Sequence, residues 1–180
     1  MDYSEKVLRH VNRYEGVIVD VDMEMVEVPN GNITMREVVR HPGGVCVLAL
    51  DENGMVAMVR QYRFPIDTHL LELPAGKLEP GEDPLPAAKR ELSEETGIEA
   101  DEWQDLGFIY TSPGFSTEKL YMYLATGLHH GRQHLDLNEF LDVEYYPLDT
   151  LREMVLSGEI TDGKTVSGVL KAAARREKTA

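Results

Sequence analysis

The segment from Gly76 to Ile98 constrains the fold more than any other stretch of this 180-residue chain. It carries a glycine, a glutamate after five further residues and, after seven more, an arginine that opens the run RELSEETGI. Asp83 is a favourable N-cap, Pro84 suits a first helical position, and Gly97 suits the residue just past a helix end. The segment therefore predicts a loop followed by a helix from about Pro84 to Thr96. Three residues at i, i+3 and i+7 form its predicted buried stripe: Leu85, Ala88 and Leu92.

The predicted helix carries a row of carboxylates. Glu91 and Glu95 are four residues apart and therefore point to one side, with Glu94 on the same flank. Like charges at this spacing destabilise a helix, so a bound cation is expected to compensate for them. Carboxylate oxygens are hard ligands that suit Mg²⁺ or Mn²⁺. Arg90 precedes this row and is expected to pair with a neighbouring carboxylate and fix its orientation.

Charge and composition exclude several classes of partner. The formal net charge of −14 argues against nucleic acid and anionic lipid, because both are bound by basic surfaces. No apolar run approaches the ~20 residues of a membrane span. The single cysteine, Cys46, lies in an apolar run and is expected to be a buried thiol. A cytoplasmic protein is the expected class.

Alternating and apolar runs predict a mixed sheet with flanking helices, which is an α/β fold. Residues 1–41 are predicted to form a β-hairpin segment, with strands over 16–28 and 33–40. A two-stranded ribbon is only marginally stable alone, so we expect this segment to support a homodimer. Further strands are expected at 45–50, 55–63, 71–73, 106–110, 119–126 and 143–147, and two helices at about 150–157 and 163–177, with Asp149 and Asp162 as N-caps.

The spacing from Gly76 to Ile98 resembles the Nudix box, the signature of enzymes that cleave nucleoside diphosphates linked to another moiety. Outside the box, the runs RQYR from Arg60, LELPAG from Leu71 and SPGFSTE from Ser112 are similar to the ADP-ribose pyrophosphatase branch. Pro113 lies near the position of a proline typical of that branch. The resemblance implies an α/β/α sandwich over residues 42–180.

The resemblance also implies roles for the carboxylates. The metals would be held by the backbone carbonyl of Ala75 and by Glu91 and Glu95. Glu94, grouped with the catalytic residues, and Glu82 would each serve as a ligand or as a support for the ligands.

Four residues would bind substrate by the same resemblance. Arg63 would contact a phosphate, for which its planar guanidinium is suited, and Glu118 would contact a ribose hydroxyl. Arg36 and Arg40 would reach the site of a partner subunit.

The general base would lie in the loop after the Pro-Gly segment. Glu139 matches the last acid of the corresponding loop in the family, and Asp136, Asp142 and Glu144 remain alternatives. The implied reaction is metal-dependent attack of water on the pyrophosphate of ADP-ribose, giving AMP and ribose 5-phosphate. A nucleotide-sugar hydrolase acting on GDP-mannose or on UDP- or ADP-sugars is the alternative enzyme, and a non-catalytic sensor of such a ligand is the alternative binding protein.

Overall fold

The computed structural model describes residues 2–179, and these form two compact units. The first unit contains the residues up to Gly43 together with Tyr110–Lys119. The second contains Gly44–Ile109 and the residues from Leu120 onward. The boundary after Gly43 falls two residues later than the boundary expected from the sequence. The sequence did not predict that residues 110–119 belong to the same unit as the N-terminal strands.

The first unit is built on a three-stranded antiparallel sheet. Its strands follow one another in order: β1 (Lys6–Glu15), β2 (Asp20–Glu27) and β3 (Ile33–Arg40). Gly31, with φ of 85°, sits in the tight turn between β2 and β3, where a positive φ favours glycine.

The expected two-stranded hairpin is therefore wrong by one strand. β1 was missed because nearly all of its residues are exposed, so its sequence, KVLRHVNRYE, carries no regular alternation of apolar and polar residues. The expected strand at 16–28 was also too long, since β2 begins only at Asp20.

The second unit is built on a seven-stranded mixed sheet. Its strands are β4 (Gly44–Leu50), β5 (Met55–Arg63), β6 (Thr68–Glu72), β7 (Ala75–Lys77), β8 (Ile98–Tyr110), β9 (Lys119–His130) and β10 (Leu141–Pro147). They lie in the order β10-β5-β4-β9-β8, with β6 paired to β5 and β7 paired to β4. β4 and β9 run parallel, whereas β5 is antiparallel to β4, β6 and β10. The helices are α1 (Pro84–Thr96), α2 (Leu148–Ser157) and α3 (Gly163–Thr179).

Two apolar cores lie on opposite faces of this sheet, because side chains alternate along β4. Val45, Val47 and Ala49 pack in one cluster with the buried residues of α1. Leu48 packs in the other cluster, which includes Leu151 of α2 and Val169 of α3. The second unit is thus an α/β/α sandwich, and its thiol Cys46 is buried as expected.

The helices show where local signals succeed. α1 has the expected bounds, and the residue after it, Gly97, adopts the left-handed conformation. Ala88 and Leu92 are buried as expected, but the third buried apolar residue is Ala87 and not Leu85. α2 begins two residues earlier than expected, with Pro147 and not Asp149 at the N-cap position. No helix within residues 2–179 combines the length and the apolar character that crossing a membrane requires.

Candidate active site

The carboxyl group of Glu95 lies at the centre of the candidate site. Its side chain is almost fully buried, and Oε2 accepts a hydrogen bond of 2.8 Å from the backbone N–H of Ala75. Burial raises the pKa of Glu95 to about 8; the bond from Ala75 opposes this shift, and the charges of Glu139 and Glu91 add to it. A carboxylate held in this environment is stabilised in its charged form by a cation.

Glu91 lies one helical turn before Glu95 and packs directly against the backbone of Gly76. A Cβ added at Gly76 would lie 1.9 Å from the carboxyl carbon of Glu91, so a larger residue there would displace the Glu91 carboxylate. Burial raises the pKa of Glu91, and the nearby Arg90 only partly offsets that rise. Strand β7 therefore lies close against this carboxylate.

Arg90 binds three carboxylates at once, which confirms that it orients its neighbours. Its guanidinium donates two bonds to Glu82, of 3.0 and 2.9 Å, and Nη1 donates to Glu91 at 2.8 Å and to Glu94 at 3.0 Å. The bonds from Arg90 therefore fix the orientation of the Glu82 and Glu94 carboxylates.

The donor set fits a hard divalent cation. Glu91 and Glu95 lie on adjacent turns of α1, and loss of contact with water raises the pKa of both. The charge of Glu94 adds to the rise for Glu91, and the charge of Glu91 adds to the rise for Glu95. Ala75 lies within hydrogen-bond distance of Glu95, so its backbone belongs to the same site. Oxygen donors of this kind suit Mg²⁺ or Mn²⁺.

The loop that carries Glu139 is attached to the carboxyl end of α1. The N–H of Gly131 donates to the carbonyl of Gly97 at 2.6 Å, and the N–H of His134 donates to the carbonyl of Glu94 at 2.9 Å. Gln133 Nε2 donates to the carbonyl of Glu95 at 2.6 Å. These bonds anchor the start of the loop beside the helix end, where carbonyl groups lack partners within the helix.

The charge of Glu139 raises the pKa of both Glu91 and Glu95, so its carboxylate lies within electrostatic reach of both. Glu144, an alternative base, is already bonded to Arg60 at 3.1 Å and to the hydroxyl of Tyr146 at 2.6 Å. Of these two acids, Glu139 is the one whose charge acts on Glu91 and Glu95, while Glu144 is paired with Arg60 and Tyr146.

A second group of charges surrounds Glu72, which sequence reasoning did not select. Its buried carboxylate accepts bonds of 2.7 and 2.6 Å from Arg63 and a further bond from Lys164. Burial pushes the pKa of Glu72 upward, but Arg63 and Lys164 outweigh burial and hold it below its ordinary value. The sequence carried one signal for this group: Glu72 lies between Leu71 and Leu73 in a short predicted strand. An acid buried in a strand requires a cationic partner.

The remaining predicted substrate residues lie in the first unit. Arg36 is bonded to Glu5 at 3.0 and 2.6 Å. Glu118 accepts a bond of 2.6 Å from the hydroxyl of Thr111. Arg40 donates bonds of 2.8 Å to each of two buried acids, Asp22 and Glu24. Each of the two arginines is thus held by an acid of its own unit.

Comparison with known proteins agrees with this geometry. The family model described as "NUDIX domain" matches residues 40–167. The chain is 41% identical to a methanol dehydrogenase activator of Bacillus methanolicus, over 93% of this chain and 91% of that protein. It is 39% identical to an ADP-ribose pyrophosphatase of Bacillus subtilis (strain 168), over 97% of this chain and 98% of that protein.

Among solved structures, that of an ADP compounds hydrolase superimposes with a TM-score of 0.86. The alignment covers 98% of this chain and 96% of the other, at 20% sequence identity. At this identity the similarity establishes the fold, and the expected α/β/α sandwich is confirmed.

Proposed function

This chain belongs to the NUDIX family, and we propose that it hydrolyses the pyrophosphate bond of ADP-ribose to give AMP and ribose 5-phosphate. The observation that carries the proposal is the placement of the buried Glu95 and the partly buried Glu91 against Ala75 and Gly76 of β7, with Glu139 in electrostatic reach. The substrate follows from the similarity to an ADP-ribose pyrophosphatase over nearly the whole of both chains.

The carbonyl of Ala75 with Glu91 and Glu95 would hold Mg²⁺ or Mn²⁺. The ion, when bound, neutralises phosphate charge and polarises a phosphoryl oxygen. Glu139 would accept the proton of the attacking water, as a general base must. Glu94, which is bonded to Arg90, would add a further negative charge beside the bound ion.

On the substrate side, Arg63 would bind a phosphate and Glu118 a ribose hydroxyl. Arg36 and Arg40 would contact substrate at the site of a partner subunit in a homodimer. Exposed apolar side chains on the N-terminal sheet, including Val7 at 56% and Ile33 at 62% exposure, support such a dimer. We place the protein in the cytoplasm, where a lone buried thiol remains reduced.

A substrate panel tests the proposal. Purified protein with Mg²⁺ is incubated with ADP-ribose, GDP-mannose, UDP-glucose and ATP, and the nucleotide products are separated by chromatography. ADP-ribose should give the highest kcat/KM and release AMP. A kcat/KM for GDP-mannose more than ~10-fold above that for ADP-ribose, about 1.4 kcal/mol in transition-state stabilisation, would instead assign a nucleotide-sugar hydrolase. Binding without cleavage of any compound would assign a sensor.

A further inference from the structure

The first turn of α3 is fastened to the strand that leads into the candidate metal site. Asp162 accepts a bond of 3.0 Å from the backbone N–H of Thr165 and a bond of 2.6 Å from its hydroxyl. The same hydroxyl oxygen accepts a bond of 2.9 Å from the backbone N–H of Leu73. Thr165 is fully buried, so this connection between α3 and the end of β6 is shielded from water.

Lys164 lies in the same turn and is 10% exposed. Its ammonium group donates to Glu72 and, at 3.0 Å, to Asp162. The buried carboxylate of Glu72 therefore has two cationic partners, Lys164 from α3 and Arg63 from β5. With Asp162, which Lys164 also bonds, the cluster pairs two cations with two carboxylates, and Glu72 takes donors from both cations.

Arg63 is held in a way that leaves it able to bind a second anion. Its bonds to Glu72 use Nε and Nη2, so Nη1 is not part of that pair. The side chain is 39% exposed, unlike that of Glu72. A guanidinium presents five N–H donors in a planar fork, so one edge can bind Glu72 while another binds a phosphate.

These charges lie close to the carboxylates of α1. Ala75, three residues after Glu72, donates its N–H to Glu95. The charge of Lys164 also opposes the rise in the pKa of Glu95, which places the ammonium within electrostatic reach of that carboxyl. The turn of α3 thus acts on the segment between Arg63 and the metal-binding acids.

We propose that Lys164 is a positioning residue for substrate binding: through Glu72 it fixes the guanidinium of Arg63 toward the pyrophosphate of a nucleoside diphosphate derivative. The inference rests on the proposed function only in its assignment of Arg63 to a phosphate. Lys164 keeps Glu72 neutralised, so Arg63 can turn part of its fork to the ligand without leaving a buried acid unpaired. Without Lys164, Arg63 would have to compensate the buried charge of Glu72 by itself, and its guanidinium would be held more fully by that carboxylate.

The test measures binding separately from turnover. The dissociation constant of the non-hydrolysable α,β-methylene analogue of ADP-ribose is determined by calorimetry for the wild type and for Lys164→Met, Arg63→Ala and the double variant. We expect Lys164→Met to weaken binding about 10-fold, a value within the range of coupled charged pairs. The double variant should bind no more than about twofold more weakly than Arg63→Ala, because Lys164 acts through Arg63.

Three further variants separate positioning from simple stabilisation. Lys164→Arg keeps the charge and should restore most of the affinity. Glu72→Gln removes the link and should weaken binding as Lys164→Met does, even if Lys164→Met folds poorly. Lys171→Met is the matched control, since Lys171 lies two turns along α3 and bonds the carbonyl of Leu106; its affinity should equal that of the wild type. Thermal unfolding of each variant checks that it is folded.

The outcomes distinguish a positioning role of Lys164 from a role in stability alone. Equal dissociation constants for the wild type and the folded Lys164→Met and Glu72→Gln variants would overturn the inference, even if the unfolding temperature falls. Effects of Lys164→Met and Arg63→Ala that multiply in the double variant would also overturn it. If Arg63→Ala alone leaves both binding and ADP-ribose turnover unchanged, the fault lies in the assignment of Arg63 in the proposed function.

Discussion

At the scale of single residues, we expect the buried carboxyl of Glu95 and the loop carboxylate of Glu139 to serve different purposes. Glu95 is enclosed by the protein and bonded to the backbone of Ala75, which is the environment of a ligand. Glu139 lies on the loop between β9 and β10, and a loop residue can move onto a bound substrate. One acid is therefore expected to hold metal and the other to move a proton.

Substitution by glutamine separates these two roles. Glu95→Gln should lower kcat by at least ~100-fold and raise the Mg²⁺ concentration needed for half-maximal activity. Glu139→Gln should lower kcat by roughly 10²–10⁴-fold while the Mg²⁺ requirement and KM stay close to those of the wild type. Steady-state kinetics across a Mg²⁺ titration measure both. If Glu139→Gln retains most of its kcat and Asp142 or Glu144 variants lose theirs, the base is one of those acids.

The thiol of Cys46 gives a prediction independent of catalysis. Burial raises the pKa of this thiol from its ordinary value of 9.0 to about 12. The native protein should therefore react with a thiol reagent such as DTNB at pH 8 far more slowly than the same protein in guanidinium chloride, which provides the control. Labelling at equal rates in both states would show that the thiol is accessible.

The same shift in pKa has a defined sign for stability. The unfolded thiol loses its proton near pH 9 and the folded one only near pH 12, so the folded state binds more protons in this window. The contribution of Cys46 to the free energy of unfolding is therefore constant below about pH 9 and falls as the pH rises through the window. Cys46→Ala should remove this part of the alkaline loss when unfolding is followed by urea titration.

At the scale of elements, the first turn of a helix depends on which residue caps it. Asp162 accepts bonds from the N–H and hydroxyl of Thr165, three residues into α3. Asp149 lies inside the first turn of α2, where Pro147 holds the cap position. Two acids that look alike in the sequence therefore differ in structural role.

Alanine substitution should show the difference. Asp162→Ala should lower the free energy of unfolding by about 1–2 kcal/mol, the range measured for lost N-caps. Asp149→Ala should change it by less than about 0.5 kcal/mol, as is usual for exposed positions. Urea unfolding of both variants provides the comparison. A loss for Asp149→Ala as large as that for Asp162→Ala would contradict the assigned cap of α2.

For the whole molecule, the N-terminal sheet raises the question of assembly. Its strands carry exposed apolar side chains, among them Val7, Ile33 and Met35. An interface with a second copy of the chain would remove these apolar side chains from water.

We expect a homodimer in solution. Light scattering coupled to size exclusion should give twice the chain mass of 20.3 kDa for the wild type. Ile33→Asp places a charge on this surface and should shift the protein toward a monomer, whereas Leu137→Asp, on an exposed loop of the second unit, should not. A wild-type monomer with full activity would overturn the dimer and the proposed roles of Arg36 and Arg40 across an interface.

The sequence by itself determined α1 and the acids it carries. The proline at the start, the glycine at the end and the four-residue spacing of Glu91 and Glu95 are local features, and helix geometry converts them directly into position. The loop expected from Gly76 onward begins only after Lys77, because Gly76 pairs with β4 as part of β7.

Only the tertiary structure decided the partners of Arg63. The register of β5 and β6 places Thr68 opposite Arg63 and Val59 opposite Glu72, so Arg63 and Glu72 meet through their long side chains and not as facing residues. Lys164 meets Glu72 because the first turn of α3 is bonded to the end of β6. β1 was likewise beyond local signals, since its exposed residues lack the alternation that burial imposes. Contacts between residues far apart in the chain depend on sheet register and helix packing, which are set by the core as a whole and not by the residues in contact.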